Sequence, residues 1–422
     1  MRVAVIGSGI AGNAAAWALA TGSRHEVIVY EREARLGGHA LTVDVALGSA
    51  AIPVDAGFIV YNEDTYPDFT RLLAHLGVAT KRADMSFCLA RADGGVVWTS
   101  RGRLPLPGGG AAQLLRLVGD WLRFNHAAGR DLGSGRLGRM TLGDYAAALG
   151  LSARFRDDYL VALASAIWSM PGGTVLGIPA RTFVAFFDNH RLLRLRRPAW
   201  RTITGGSRAY VERLAAPWRH AVRPGAARIE RHDLCVTVTD ASGAADRFDA
   251  LVLACHPDEA LALLADADEA ERAVLGAIRF RPADVILHRD ESLMPNRRDA
   301  WAAWTILDRP GPDGGPAVTY WMNALQGIDP ATPLFVSLDP PRLPAEARTL
   351  ARFRLSHPQL DAGAVAAQAR LGSIQARRRT WFCGAWTGYG FHEDGVRSGL
   401  DAAEALGARV PWRASPRSEA AE

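Results

Sequence analysis

The chain opens on an unbroken apolar run, Val3 to Ile6, of the kind a parallel strand buried on both faces requires. A helical period follows in Asn13-Ala14-Ala15-Ala16-Trp17-Ala18-Leu19-Ala20, and His25 to Tyr30 reads as a second buried strand closing at Glu31. Arg228 to Thr239 alternates as a strand does, and Phe248 to Cys255 is a short buried run. His256-Pro257 then marks a helix boundary, with a helix from Asp258. Val285 to Arg289 and Val318 to Met322 read as strands. Thr380 to Gly384 reads as a last parallel strand, ahead of a helix in the segment from Gly390. The middle, from about Tyr66 to Trp200, is mostly helical and rich in aromatic residues. Leu104 to Ala112 reads as a loop, the segment after Trp412 as a frayed polar tail, and no internal repeat occurs.

The junction of the first strand and helix carries Gly7, Gly9 and Gly12 in a GxGxxG pattern. The first glycine permits a tight turn, the second lets a pyrophosphate approach the backbone, and the third lets helix and strand pack closely. Phosphate charge would rest on the helix N-terminus, where free amides and the helix dipole favour it, with Ile10 and Ala11 in the first turn. Glu31, nineteen residues beyond Gly12, can accept both hydroxyls of an adenosine ribose and would repel a 2′-phosphate. Three features favour FAD over NAD. Arg35-Leu36-Gly37-Gly38-His39 lets the chain pass the other side of the pyrophosphate. The C-terminal strand and helix would aim amides at a flavin or its ribityl chain, and no second GxGxxG interrupts the middle of the chain.

Composition narrows the class. The chain has 422 residues, 49% of them apolar, enough for two domains with substantial cores. No run of 18 apolar residues occurs, and the strand at the very start leaves no room for a signal segment, so a cytoplasmic location is expected. Cys88, Cys235, Cys255 and Cys383 show no metal-ligand spacing and read as packed thiols, and no metal site is expected. The net charge of +5 rests on arginine, since Lys81 is the sole lysine. Between Arg181 and Arg231, twelve arginines face Asp188, Glu212 and Glu230 in sequence, a local balance of +9. That would attract a carboxylate or an anionic surface, with no nucleic-acid partner expected.

GxGxxG, Glu31, the Gly37-Gly38 pair, Val54-Asp55-Ala56-Gly57-Phe58, Gly205-Gly206-Ser207 and the series Gly390, Gly395, Gly399 resemble the flavin-containing amine oxidase and phytoene desaturase superfamily over nearly the whole chain. Gly57 to Asn62, Phe186 to His190, Trp200 to Tyr210 and Tyr389 to Gly395 are similar to bacterial predicted FAD-binding proteins. That group resembles methyl-branched fatty acyl desaturases of furan fatty acid synthesis and, more distantly, linoleate isomerases. The resemblance implies an α/β fold with a discontinuous, amine-oxidase-like Rossmann-type FAD-binding domain and a mixed α+β substrate domain. Residues 1–65, 204–278 and 372–412 would form the first, 66–203 and 279–371 the second, and 413–422 the tail. It adds Arg32, His39, Gly57, Phe58, Val222 near the adenine, Gly384, Phe391, Gly395 and Val396 to the cofactor contacts.

The family moves hydride from a C–H bond to flavin N5, and amine-oxidising members keep a lysine near N5. Lys81 is far in sequence from the strand that supplies it, and His288 stands closest to that position. His39 replaces a common arginine, Gly384-Ala385 replaces a glycine-acid pair, and Cys383 does not sit where covalent flavin is attached. Desaturation also needs a base for the proton lost from the neighbouring or vinylogous carbon. His392 and Tyr389 in the C-terminal glycine motif, with His288, are the catalytic candidates. His190 is either a further base or a hydrogen-bond partner of Asp188. Phe155, Tyr159, Trp168, Phe183, Phe186 and Phe187 are either a channel lining or core. Two segments suit an anionic bilayer: Arg191 to Arg201, where Arg194, Arg196 and Arg197 interleave with leucines, and Leu114 to Phe124. Taken alone, either segment reads first as an ordinary amphipathic helix facing the core and only second as a membrane contact. The expected activity is desaturation of unsaturated, methyl-branched fatty acyl chains of phospholipid. Double-bond isomerisation, amine oxidation, or lipid presentation to a methyltransferase partner without turnover are the alternatives, with the inner membrane face as a second location.

Overall fold

Val3, Ala4 and Val5 are fully enclosed because β1 (Arg2–Ile6) lies at the centre of a five-stranded parallel sheet. This computed structural model describes residues 1–48, 50–91, 93–101, 110–168, 172–193, 198–308 and 317–413. β1 leads into α1 (Ile10–Gly22) and then β2 (Glu26–Glu31), which pairs with β1 in parallel, Ile6 opposite Tyr30. Val222–Pro224 extends the sheet beyond β2, while Ala250–Leu253 and then Thr380–Phe382 extend it on the other side of β1. One face is covered by α1 and the C-terminal helix His392–Ala405. Small residues set that contact: a Cβ at Gly399 would lie 2.2 Å from the Ala11 carbonyl oxygen, and one at Gly395 2.6 Å from Ile10 Cγ2. The other face meets the antiparallel strands Ala226–Arg231, Val236–Asp240 and Ala245–Phe248 through Ile229, Val238 and Phe248.

A second sheet of seven strands runs in the order Thr349–Pro358, Phe280–His288, Phe335–Leu338, Ala317–Trp321, Trp304–Asp308, Phe87–Arg91, Val96–Thr99. Beside it the helices Gly110–Asp131, Leu142–Ala148, Ala162–Trp168 and Ala180–Asn189 pack around Phe124, Phe155, Phe183 and Phe187. Asp55 joins the two halves. Its Oδ1 accepts from the Thr42 hydroxyl (2.7 Å) and from the Ser207 amide and hydroxyl (2.8 Å each), and its Oδ2 accepts from Gln326 Nε2 (3.1 Å). Burial pushes this carboxyl up to about 6 despite those donors. No helix among the described residues is long and apolar enough to cross a membrane.

Three expectations change. The segment Arg228 to Thr239 is two strands folded back on each other, with the His232 amide bonded to the Cys235 carbonyl at the turn. The supposedly helical middle contains the hairpin Phe87–Arg91/Val96–Thr99. Three of the arginines counted as one basic stretch turn to acids that are distant in sequence. Arg208 pairs with Asp44, Arg201 with Glu63, and Arg231 is buried against Glu271 and Asp266. Arg194, Arg196 and Arg197 lie outside the described residues, as do most of the Leu104 to Ala112 loop and residues 414–422 of the tail.

Candidate active site

The C-terminal ends of β1, β2 and Ala250–Leu253 open onto a cavity of about 1220 Å³. Pockets for a drug-sized ligand run to about 1,000 Å³, so this one has room for a dinucleotide and a second molecule. Its wall at β1 is the glycine turn. Gly7 has φ +96°, a left-handed conformation that any side chain would strain, and its amide donates to the Tyr30 carbonyl (2.8 Å). Gly12 does not line the cavity. A Cβ there would stand 1.9 Å from the Gly7 oxygen, so its role is to hold α1 against the turn. At Gly9 a Cβ would meet no protein atom within 4 Å, because the space beyond it is the cavity. The amides of Ile10 and Ala11, both on the wall, precede the first helical bond, which Asn13 donates to the Gly9 carbonyl (2.8 Å).

That arrangement fits a pyrophosphate: free first-turn amides, the positive end of a helix, and no side chain in the way. Glu31 also faces the cavity. Its Oε2 accepts from the Ser8 amide (2.8 Å) and hydroxyl (2.6 Å) and its Oε1 from the Glu33 amide (2.9 Å), which fixes the carboxylate with lone pairs left for ribose hydroxyls. Arg32, ion-paired to Glu259 (2.7 Å), forms the wall with Gly225, Ala226 and Ala227. Val222 is not part of it: it starts the edge strand of the sheet, where it pairs with Val29.

Gly38, with φ +57°, would bring a Cβ to 2.9 Å from Gly9 Cα, so the second glycine pair runs directly over the first turn. Gly37 is turned away from the cavity, against Val211. The next residue, His39, lines the cavity and shares its Nε2 with the Ser356 carbonyl (3.0 Å). His357 and His256 approach it, with ring centroids at 5.4 and 6.2 Å. Desolvation, then mutual repulsion, pushes His39 down to about 3. Burial chiefly pushes His357 down to about 4 and lowers His256. The Nδ1 of His357 is buried with no hydrogen-bond partner among the described residues. This trio joins residues 39, 256 and 357 from three segments, and only His39 was expected at the cofactor. The signal available for His256 was its place directly after a buried strand.

Beyond His39 the wall turns apolar and aromatic. Gly57 sits with a would-be Cβ 2.0 Å from the His39 oxygen, and Phe58 stacks on His392 (3.5 Å, 12°). His392 reaches the wall, but its Nε2 is shared with the Tyr210 hydroxyl (2.9 Å), and burial holds it well below the ordinary imidazole value. Phe391 lines the cavity and stacks on Phe186 (5.2 Å). Tyr389 does not line it, and its amide donates to Asp394 (2.9 Å). His288 does not reach the cavity either. Its Nε2 is shared with the Ser337 hydroxyl (2.8 Å) and its Nδ1 accepts from the Asp290 amide (3.0 Å). Gly384 is on the wall, whereas Gly395 and Val396 sit in the helix contact with α1.

The far end is bounded by Tyr66, Trp98, Tyr159, Ile167, Phe186 and Trp304, among others. Of the six aromatics expected in a channel, Tyr159 and Phe186 line it, while Phe155, Trp168, Phe183 and Phe187 are core. His190 is there too. Its Nδ1 bonds the Phe186 carbonyl (3.0 Å) rather than Asp188, its Nε2 has no partner among the described residues, and burial lowers it to about 4. It is therefore a neutral imidazole with one nitrogen free in an apolar chamber. Lys81 is exposed and absent from the wall.

Comparison with known proteins agrees with this architecture. The model of the family described as flavin containing amine oxidoreductase matches residues 10–292. Among curated proteins no sequence matches the chain. The fold is shared with the CLA-producing fatty acid isomerase from P. acnes, at 15% identity and TM-score 0.71 over 96% of this chain and 99% of that one. It is shared too with cyclohexylamine oxidase from Brevibacterium oxydans IH-35A, at 17% identity and TM-score 0.70 over 96% and 98%. Putrescine oxidase gives 14% identity and TM-score 0.69 over 96% and 99%. The chain belongs to the flavin-containing amine oxidoreductase family and is an FAD-dependent oxidoreductase.

Proposed function

We propose that the protein oxidises the acyl chain of an unsaturated lipid, introducing a double bond, with methyl-branched chains of phospholipid as the preferred class. The observation that carries this reading is the composition of the cavity beyond His39. Leu41, Ile59, Val60, Leu163, Ile167 and the aromatic residues surround it. Among the described lining residues there, none is a carboxylate that could hold an ammonium group. An acyl chain gains on the order of 0.8 kcal/mol per CH₂ buried in such a chamber.

Bound FAD supplies the acceptor for the hydride that leaves a substrate C–H bond. Ile10 and Ala11 would hold its phosphates and Glu31 its ribose, while Phe391, Phe58 and Gly57 would border its reactive end. The chain's own part in the reaction is removal of the one proton, lost from the carbon neighbouring or vinylogous to the one that gives up the hydride. His190 Nε2 is the basic atom free in the apolar chamber, and the Phe186 carbonyl, accepting from Nδ1–H, fixes the tautomer that leaves Nε2 unprotonated. Tyr66, Phe186 and Phe391 pack around this imidazole and exclude water from it.

Redox-neutral isomerisation is the second reading, favoured by the shared fold with a fatty acid isomerase. Product mass separates the two. Incubation with methylated unsaturated phospholipid and an electron acceptor should give a product lighter by two hydrogens. A product of unchanged mass with a moved double bond indicates isomerisation, and conversion of amines alone overturns both.

A further inference from the structure

We propose that the helix Gly110–Asp131 is a docking surface for an anionic lipid bilayer, seating the protein with the apolar end of its cavity toward the membrane. The proposal rests on the lipid reading above for its purpose, but not for its evidence.

The helix has two apolar faces. Phe124, Ala127 and Ala128 turn inward, where Phe124 packs on Phe155, Phe183 and Phe187. Leu115, Val118 and Leu122 turn outward, exposed by 71%, 46% and 55%. They stand at i, i+3 and i+7, one stripe about 10 Å long at 1.5 Å per residue. A helix facing only the core has no use for this second stripe.

Charge identifies what covers it. The helix contains two acids, and both are inside: Asp120 accepts from the Ser152 amide and hydroxyl, and Asp131 from the Tyr145 hydroxyl. The exposed polar side chains beside the stripe are Arg116, Arg123, His126 and Arg130. Arg123 and Arg130 lie near the buried acids, at 3.5 and 3.0 Å, while Arg116 has no ion-pair partner among the described residues. Leucines flanked by arginines suit the headgroup boundary, where the apolar side chains enter the acyl region and the guanidinium groups meet phosphates. A second copy of this chain packed stripe to stripe would bring the two sets of arginines together without acids between them.

The inner face ties the surface to the cavity. Trp121 Nε1 donates to the Tyr159 hydroxyl (3.3 Å), and Tyr159 lines the apolar end of the cavity. Trp121 on this helix and Tyr159 on the cavity wall therefore link the helix to that chamber.

Flotation of the FAD-loaded full chain with vesicles tests this. The protein should float with phosphatidylglycerol vesicles, much less with phosphatidylcholine vesicles, and less as salt rises. The double variant Leu115→Ser/Leu122→Ser should bind the anionic vesicles at least about tenfold more weakly, with an unchanged melting temperature, since both side chains are exposed. Arg116→Glu should weaken binding and flatten its salt dependence. Failure of the native chain to float, equal flotation of the double variant, or a concentration-dependent dimer that the double variant abolishes would each overturn the proposal. Flotation without lipid turnover would leave the surface standing and remove the acyl-chain reading. Turnover of detergent-dispersed lipid without flotation would do the reverse.

Discussion

Gly9→Ala separates cofactor binding from folding. Gly9 has φ −61° and ψ 177°, a conformation alanine adopts freely, and a Cβ there meets no protein atom within 4 Å. The apo protein should keep its stability or gain about 0.4–1 kcal/mol from a stiffer unfolded chain. The methyl group would occupy the space in front of the Ile10 and Ala11 amides, where a phosphate oxygen belongs. Loss of one hydrogen bond to a charged group costs about 1.5–3 kcal/mol, which weakens FAD binding by roughly one to two orders of magnitude. At FAD concentrations about 100 times the native Kd, the native chain gains about 2.7 kcal/mol, and a variant binding thirtyfold more weakly gains less than about 1 kcal/mol. Gly12→Ala gives the contrast. Its Cβ would press on the Gly7 oxygen at 1.9 Å, so the apo protein itself should lose about 1–3 kcal/mol or more. Thermal unfolding with and without FAD, together with quenching of flavin fluorescence, reads both quantities. Native FAD affinity in Gly9→Ala, or a large loss of its apo stability, would refute the placement of the phosphates.

FAD should bind more tightly as pH falls from about 7 toward 5, because phosphate charge raises the lowered values of His39, His256 and His357 and binding takes up protons. Calorimetry in two buffers of different ionisation heat detects that uptake, and a pH-independent affinity contradicts it. The sign reverses for the apo protein. A depressed folded histidine value means the unfolded chain binds more protons, so apo stability should decline as pH drops below about 6.5 toward 3–4. Asp55→Ala should cost about 3 kcal/mol or more in denaturant titrations, since it leaves the buried Ser207 amide and Gln326 amide group without acceptors; a loss under about 1 kcal/mol would show that the junction is held otherwise. His190→Ala should lower kcat by about 10²–10⁴-fold with the flavin spectrum intact, and native turnover should fall as acid protonates this residue near pH 4. Unimpaired turnover in that variant assigns the proton to another group.

The nucleotide end of the site was legible because its chemistry is local. Gly7, Gly9, Gly12 and Glu31 sit on one βαβ unit, where spacing fixes geometry. The aromatic chamber and the histidine trio were not, because they form by convergence: His39, His256 and His357 come from a loop, a strand end and the other sheet, and nothing near any of them signals the others. His288 misled because alignment along a strand fixes which residue sits where but not which face it points to, and its ring points at Ser337. Counting charges along the sequence failed at Arg201, Arg208 and Arg231 for the same reason, since Glu63, Asp44 and Glu271 lie far away in the chain. The hairpin Phe87–Arg91/Val96–Thr99 carried a local mark in Asp93-Gly94-Gly95, which outweighs the helical character of its surroundings. The turn at His232–Cys235 has no glycine or proline, which is why two strands read as one.

The most direct measurement of the claim that this flavoenzyme acts on lipid is anaerobic titration of the oxidised holoprotein, followed by its visible absorbance. Unsaturated phospholipid carrying a methyl branch should bleach the flavin, and primary amines should leave it oxidised. Bleaching by amines with no response to any acyl lipid would contradict the assignment.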